Sequence, residues 1–133
     1  MQDASEVIMI VDDDPLIRAM CKSAFEDKGY FVLEADNGER AVTLLSSHQV
    51  DFVLLDVLMP DKDGLEALLE IKRTQPSAYV FAMSGGGRRG HYGYLEIAKR
   101  FGADEIVKKP FSPSAIVDLV GAHVAQLAAK SGG

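Results

Sequence analysis

Val7-Ile8-Met9-Ile10-Val11 is apolar at every position and β-branched at most of them. A strand with one wet face alternates apolar and polar side chains, so an unbroken run is one that must be covered on both faces. A parallel sheet sandwiched between helices meets that requirement. Phe52–Leu55 repeats the pattern and is closed by Asp56, while Phe31–Leu33, Tyr79–Met83 and Glu105–Lys108 read as further strands. The intervening segments change to helical spacing. Asp14 supplies an N-cap and Pro15 sits at the first helical position, followed by Leu16, Ile17, Met20, Ala24 and Phe25 and ended by Gly29. Asn37-Gly38 opens a second helix carrying Ala41, Val42, Leu44 and Leu45, Leu65–Arg73 is a third, and a fourth lies near Tyr94–Phe101. Ser112-Pro113 caps a last helix to about Ala128.

Five strand–helix units with short connections allow only crossover linkages. The expected fold is α/β, a flavodoxin-like doubly wound sheet of five parallel strands in the order 2-1-3-4-5 with helices on both faces. At 133 residues the chain is one domain, taken as residues 1–128, with 129–133 a flexible tail or an added end. Cys21 is the only cysteine, so no internal disulfide forms; it reads as a buried apolar residue, and a reducing compartment, the cytoplasm, is expected. Met1–Glu6 is polar rather than a signal segment, and no apolar run is long enough for a bilayer. A net charge of −6 argues against direct nucleic-acid binding, which needs a basic footprint.

Sites in such sheets form beyond the carboxyl ends of the strands. Asp12 and Asp13 end the first strand and Asp56 the third, and strands one and three are neighbours in the expected order. Three converging carboxylates repel one another unless a cation joins them, and Mg²⁺ is the hard cation that takes carboxylate oxygens and shares its shell with phosphate. Ser84 and Lys109 stand at the ends of the fourth and fifth strands.

The stretches Ile10-Val11-Asp12-Asp13-Asp14-Pro15, Leu54 through Gly64 and Lys109-Pro110-Phe111 resemble the receiver domain of two-component response regulators over about residues 6–125. The resemblance implies that Asp56 accepts a phosphoryl group from a sensor histidine kinase or a histidine phosphotransfer protein. Asp13, Asp56 and the Leu58 carbonyl would hold Mg²⁺ directly, and Asp12 through water. Ser84, Lys109 and the amides of Val57 and Gly85 would bind the phosphoryl oxygens. It further implies a partner docking on the Pro15–Lys28 helix and the Phe111–Ser114 loop. Output, or a homodimer, would use the fourth helix, fifth strand and fifth helix. The domain would promote its own phosphorylation rather than act as an enzyme on other substrates.

Two positions depart from the family pattern. Ile106 stands where an aromatic ring usually reports phosphorylation, and the Gly85–Gly90 loop is long and rich in glycine, with Arg88, Arg89, Tyr92 and Tyr94 in or beside it. Leu58 and Gly86 offer no polar side chain to orient water, so a long-lived aspartyl phosphate is expected. Gly85, Gly87 and Gly90 match a dinucleotide fingerprint, but the following strand ends in Lys108-Lys109 rather than an acid for the ribose. A haloacid-dehalogenase-type phosphatase needs a second aspartate where Leu58 stands. The remaining alternative is a degenerate receiver that works as a phosphorylation-independent interaction module, which Ile106 keeps open. His48, His91 and His123 form no ligand pattern.

Overall fold

The structure, a computed structural model, describes residues 6–57, 64–84, 92–109 and 111–132, without the side chains of 92–95 and 128–132. The elements alternate as β1 (Val7–Val11), α1 (Pro15–Asp27), β2 (Phe31–Ala35), α2 (Gly38–Leu45), β3 (Phe52–Asp56), α3 (Gly64–Thr74), β4 (Tyr79–Ser84), α4 (Tyr92–Arg100), β5 (Glu105–Lys108) and α5 (Pro113–Gly132). The strands pair in parallel in the order β2-β1-β3-β4-β5, as the sequence implies.

Alternation along each strand divides the core in two. Ile8 and Ile10 of β1, Phe52 and Leu54 of β3, and Phe81 and Met83 of β4 pack with Cys21 and Phe25 of α1 and Ile116, Val117 and Val120 of α5. The intervening residues Met9, Val11, Val53, Leu55, Val80 and Ala82 pack on the other face against Ala41 and Leu45 of α2, Leu68 and Ile71 of α3, and Ala98 of α4. Both faces of the central strands are therefore dry, which is why their sequences do not alternate in polarity.

Cap chemistry sets where the helices begin. The Asp14 carboxylate accepts the Leu16 N–H at 2.9 Å ahead of Pro15, and Asn37 Oδ1 accepts the Arg40 N–H at 2.8 Å. Ser112 Oγ accepts the Ala115 N–H at 3.1 Å. Gly29, at a φ of 92°, closes the turn after α1 in the left-handed region that favours glycine.

The ends differ from the sequence reading by more than one residue in three elements. β2 continues to Ala35 because Glu34 and Ala35 pair with Ile10 and Val11, and backbone pairing on an edge strand does not require an apolar side chain. α4 begins at Tyr92, and α5 runs to Gly132 rather than stopping near Ala128. Extending an existing helix through Ala128, Ala129 and Lys130 costs little, since these are good helix formers.

Gln75, just past α3, is the buried polar group that closes the bottom of this layer. Its Oε1 accepts the Val50 N–H at 2.9 Å, and its Nε2 donates to the carbonyls of Leu45 at 3.1 Å and His48 at 2.7 Å. Gln75→Leu keeps the volume but orphans all three backbone groups, so it is expected to cost about 3 kcal/mol. Urea unfolding of the variant against wild type measures this; a loss well under half that would mean water replaces the amide.

Candidate functional site

Register builds the site. Val11 pairs with Leu55, so the next residues along each strand, Asp12 and Asp56, stand side by side at the carboxyl edge of the sheet. Asp56 pairs with Met83, and Ser84 with Lys108, which places Ser84 and Lys109 at the same edge. The Lys109 N–H donates to the Ser84 carbonyl at 2.9 Å, tying the end of β5 to the end of β4.

Side-chain parity then sorts these residues by face. Asp56 continues the Phe52–Leu54 series and Lys109 the Val107 series, both on the α1 and α5 side. The Lys109 ammonium donates to Asp12 Oδ2 at 2.7 Å and to Asp56 Oδ2 at 3.2 Å. Ser84 continues the Val80–Ala82 series, on the side of α3 and α4, and Ile106 packs against that same cluster. The sheet edge thus carries the charged cluster on one side and a hydroxyl on the other.

One oxygen each from Asp12, Asp13 and Asp56 can lie within 4.8 Å of one another. Asp12 is fully buried and Asp56 nearly so, while Asp13 is exposed. Among the described residues, one ammonium against three carboxylates leaves the cluster negative. Converging hard oxygen donors with a solvent-facing side fit Mg²⁺, which keeps waters in its shell. Asp12, Asp13 and Asp56 could hold it.

Burial pushes the Lys109 pKa down, but the hydrogen bond to Asp12 and the charges of Asp56 and Asp12 more than offset it, and the net shift is upward. A group whose folded pKa is raised contributes stability that is fully present below its unfolded pKa and lost as pH rises through the folded one. The stability gap between wild type and Lys109→Met is therefore expected to be constant from neutral pH up to the ordinary lysine range and to shrink above it. Chemical denaturation at stepped alkaline pH checks this; a gap that widens there would reverse the sign of the coupling. The same low-dielectric, acidic surroundings push the buried Cys21 thiol to about 11, through burial first and the Asp12 charge second. Cys21 is thus an unreactive packing residue, as its apolar setting implied.

Ser84 Oγ is fully buried and is the one buried side-chain polar atom among the described residues without a hydrogen-bond partner. Buried hydroxyls are normally satisfied, so this one is a donor available to an acceptor that reaches the site edge. The Val57 N–H, expected to face a phosphoryl oxygen, donates instead to the Met83 carbonyl at 3.0 Å, because pairing with β4 runs one residue past Asp56. That bond would have to open for the amide to serve a ligand. Leu58, Gly85, Gly86, Arg88 and Arg89 lie outside the described residues, as do the side chains of Tyr92 and Tyr94.

Two residues that shape the site were not singled out by the sequence. An added Cβ on Gly64, the first residue of α3, would lie 2.4 Å from Val57 Cα and 2.6 Å from the Asp56 carbonyl oxygen. In the sequence Gly64 stands only as the last residue of the motif-bearing stretch Leu54 through Gly64. Arg18, on α1, donates from Nη1 to the Asp12 carbonyl at 2.7 Å. Its only sequence signal is a charge on a helix, which is ordinarily a solvated one.

Comparison with known proteins gives one answer. The family model described as the response regulator receiver domain matches residues 8–121. The chain is 37% identical over 112 residues to the chemotaxis protein CheY of Listeria monocytogenes, covering 84% of this chain and 92% of that one. It is 34% identical over 110 residues to the transcriptional regulatory protein CpxR of Klebsiella pneumoniae, covering 83% of this chain and 45% of that longer one. Among solved structures, a CheY-like receiver domain protein from Methanospirillum hungatei superposes with a TM-score of 0.82 at 23% identity, covering 96% of this chain and 99% of that one. This last likeness is one of fold.

Proposed function

The chain belongs to the response regulator receiver domain family, which serves two-component phosphorelay signalling, and from that membership we propose that Asp56 is its phosphoacceptor. The observation that carries the proposal is the Lys109 ammonium bridging Asp12 and Asp56 at the sheet edge, where the neighbouring strand β4 ends in the unpartnered hydroxyl of Ser84. An Asp56 carboxylate oxygen attacks phosphorus, forming an O–P bond as the P–N bond to a partner's phosphohistidine breaks and the electron pair leaves with the imidazole. Lys109 neutralises charge on the transferring group, and Ser84 Oγ donates to one of its oxygens, the acceptor it now lacks. Asp13 and Asp56, together with Asp12, would hold Mg²⁺, which would supply the remaining charge neutralisation. The chain in this reading promotes its own phosphorylation and acts on no other substrate.

The donor, a sensor histidine kinase or a phosphotransfer protein, docks on α1 in this proposal. Leu16 is 66% exposed and Met20 44%. A groove of about 220 Å³ lined by Ile17, Met20, Cys21, Phe111 and Pro113 reaches Lys109. A partner seated there reaches Lys109, whose ammonium donates to Asp56. Among the described residues no helix is long and apolar enough to cross a membrane, and we place this signalling in the cytoplasm.

Ile106 is partly buried against the α3 and α4 side and has no ring to rotate, so readout must use another element beside Ser84. This same feature favours the alternative of an interaction module that is never phosphorylated. Intact mass after incubation with acetyl phosphate and Mg²⁺, with a chelator control, decides between them. A single phosphoryl adduct that requires Mg²⁺ supports the proposal. No adduct from acetyl phosphate or from a phosphorylated histidine donor, with no saturable Mg²⁺ binding, leaves the interaction module.

A further inference from the structure

We propose that Arg18 is a positioning residue of the metal site, holding the Asp12 carbonyl so that Asp12 and Asp13 stay presented to the cation. The inference rests on the phosphoacceptor reading above and assigns a role to a residue outside the acidic cluster.

Asp12 is pinned at every polar atom. Its N–H donates to the Ala35 carbonyl at 3.1 Å, Oδ1 accepts the Asp14 N–H at 2.9 Å, and Oδ2 takes the Lys109 ammonium at 2.7 Å. Its carbonyl, lying past the last paired residue of β1, is reached by Arg18 Nη1 at 2.7 Å. A guanidinium there does what a neighbouring strand's N–H does inside the sheet. Arg18 is itself braced, since its Nε donates to Glu34 Oε1 at 3.3 Å and its side chain is only 18% exposed. The planar fork of arginine can serve both acceptors at once, which a lysine ammonium on a flexible stem does less well.

Asp13 is the opposite case. It is exposed, and no side-chain hydrogen bond holds it among the described residues, yet its carboxylate lies within reach of those of Asp12 and Asp56. Its position is set by the backbone on either side: Asp12, which Arg18 anchors, and Asp14, which caps α1. Releasing the Asp12 carbonyl would loosen the segment that carries an otherwise unrestrained ligand. Outer groups that orient metal ligands govern affinity in this way.

Electrostatics alone predicts the opposite sign. Arg18 carries positive charge near a cation site, so removing it would tighten Mg²⁺ binding if the charge were all that mattered. A purely structural role would lower stability and leave Mg²⁺ affinity unmoved.

MgCl₂ titration of the full chain, followed by backbone amide NMR, separates these three. Arg18→Met is expected to raise the half-saturating Mg²⁺ concentration about tenfold, the low end for loss of an outer-shell partner. Arg18→Lys should fall between it and wild type. Phosphorylation by acetyl phosphate at saturating Mg²⁺ should recover to within about twofold, since the loss is in binding rather than in the chemical step. A folded Arg18→Met with unchanged or tighter Mg²⁺ binding overturns the proposal. Where Arg18→Met gives no folded spectrum, Arg18→Lys decides, and wild-type affinity in it overturns the proposal equally. A wild-type chain with no saturable response to Mg²⁺ overturns this inference, and if it also takes up no phosphoryl group from either donor, the phosphoacceptor reading falls with it.

Discussion

Asp56→Asn is expected to abolish phosphoryl uptake from acetyl phosphate, a fall of at least about a hundredfold, because a carboxamide oxygen is no nucleophile toward phosphorus at neutral pH. Intact mass would show the adduct of about 80 Da on wild type only. The same substitution has a second consequence of opposite sign. Asp12, Asp13 and Asp56 converge, and Lys109 bonds two of them, so replacing one carboxylate by an amide that can still accept from Lys109 relieves repulsion. In chelator, Asp56→Asn should therefore melt a few degrees above wild type, the shift that about 1 kcal/mol gives in a domain of this size. Added Mg²⁺ should stabilise wild type and do much less for the variant. An adduct of equal yield on Asp56→Asn would move the acceptor elsewhere. A variant that melts lower in chelator would mean that Asp56 is held chiefly as an ion-pair partner of Lys109.

Gly64→Ala is expected to be strongly destabilising. The new Cβ would meet the Val57 Cα at 2.4 Å, the Asp56 carbonyl oxygen at 2.6 Å and the Val57 carbonyl carbon at 2.7 Å. All three are backbone atoms and cannot rotate away, so α3 must lift off the end of β3 or the end of β3 must shift. Overpacking of this kind costs about 3 kcal/mol. Because the displaced backbone carries Asp56, phosphorylation should slow even in the fraction that folds. Gly121→Ala is the control, since nothing lies within 4 Å of its added Cβ on α5. There alanine should stabilise by about 0.5–1 kcal/mol, as it does within helices generally. Urea unfolding of both variants reads the contrast. Equal stability would show that α3 can move away from Asp56 freely.

Much of the site is legible in the amino-acid sequence, because a buried strand ends where polarity begins. Asp12, Asp56 and Ser84 each stand at such an edge, and alternation along a strand says which neighbours share a face. Other groups are hidden there for a common reason. Gln75 serves backbone atoms of Leu45, His48 and Val50, all at least 25 residues away, and nothing near it in sequence signals that task. Gly64 is only the end of a family-like stretch in the sequence, whereas its constraint is a distance to a different element. Arg18 looks like one more solvated charge on a helix, although its partner is a carbonyl just past the strand before it.

The amino-acid sequence by itself determined the five buried strands, the helices between them, their caps and the carboxylates at the strand ends. These follow from local patterning, where each residue is judged against solvent and its near neighbours. Only the tertiary structure decided that Lys109, 97 residues from Asp12, closes on it at 2.7 Å while Ser84 is left without a partner on the opposite face. Sequence patterning says that a side chain must leave water; register between strands far apart in the chain says what it meets there.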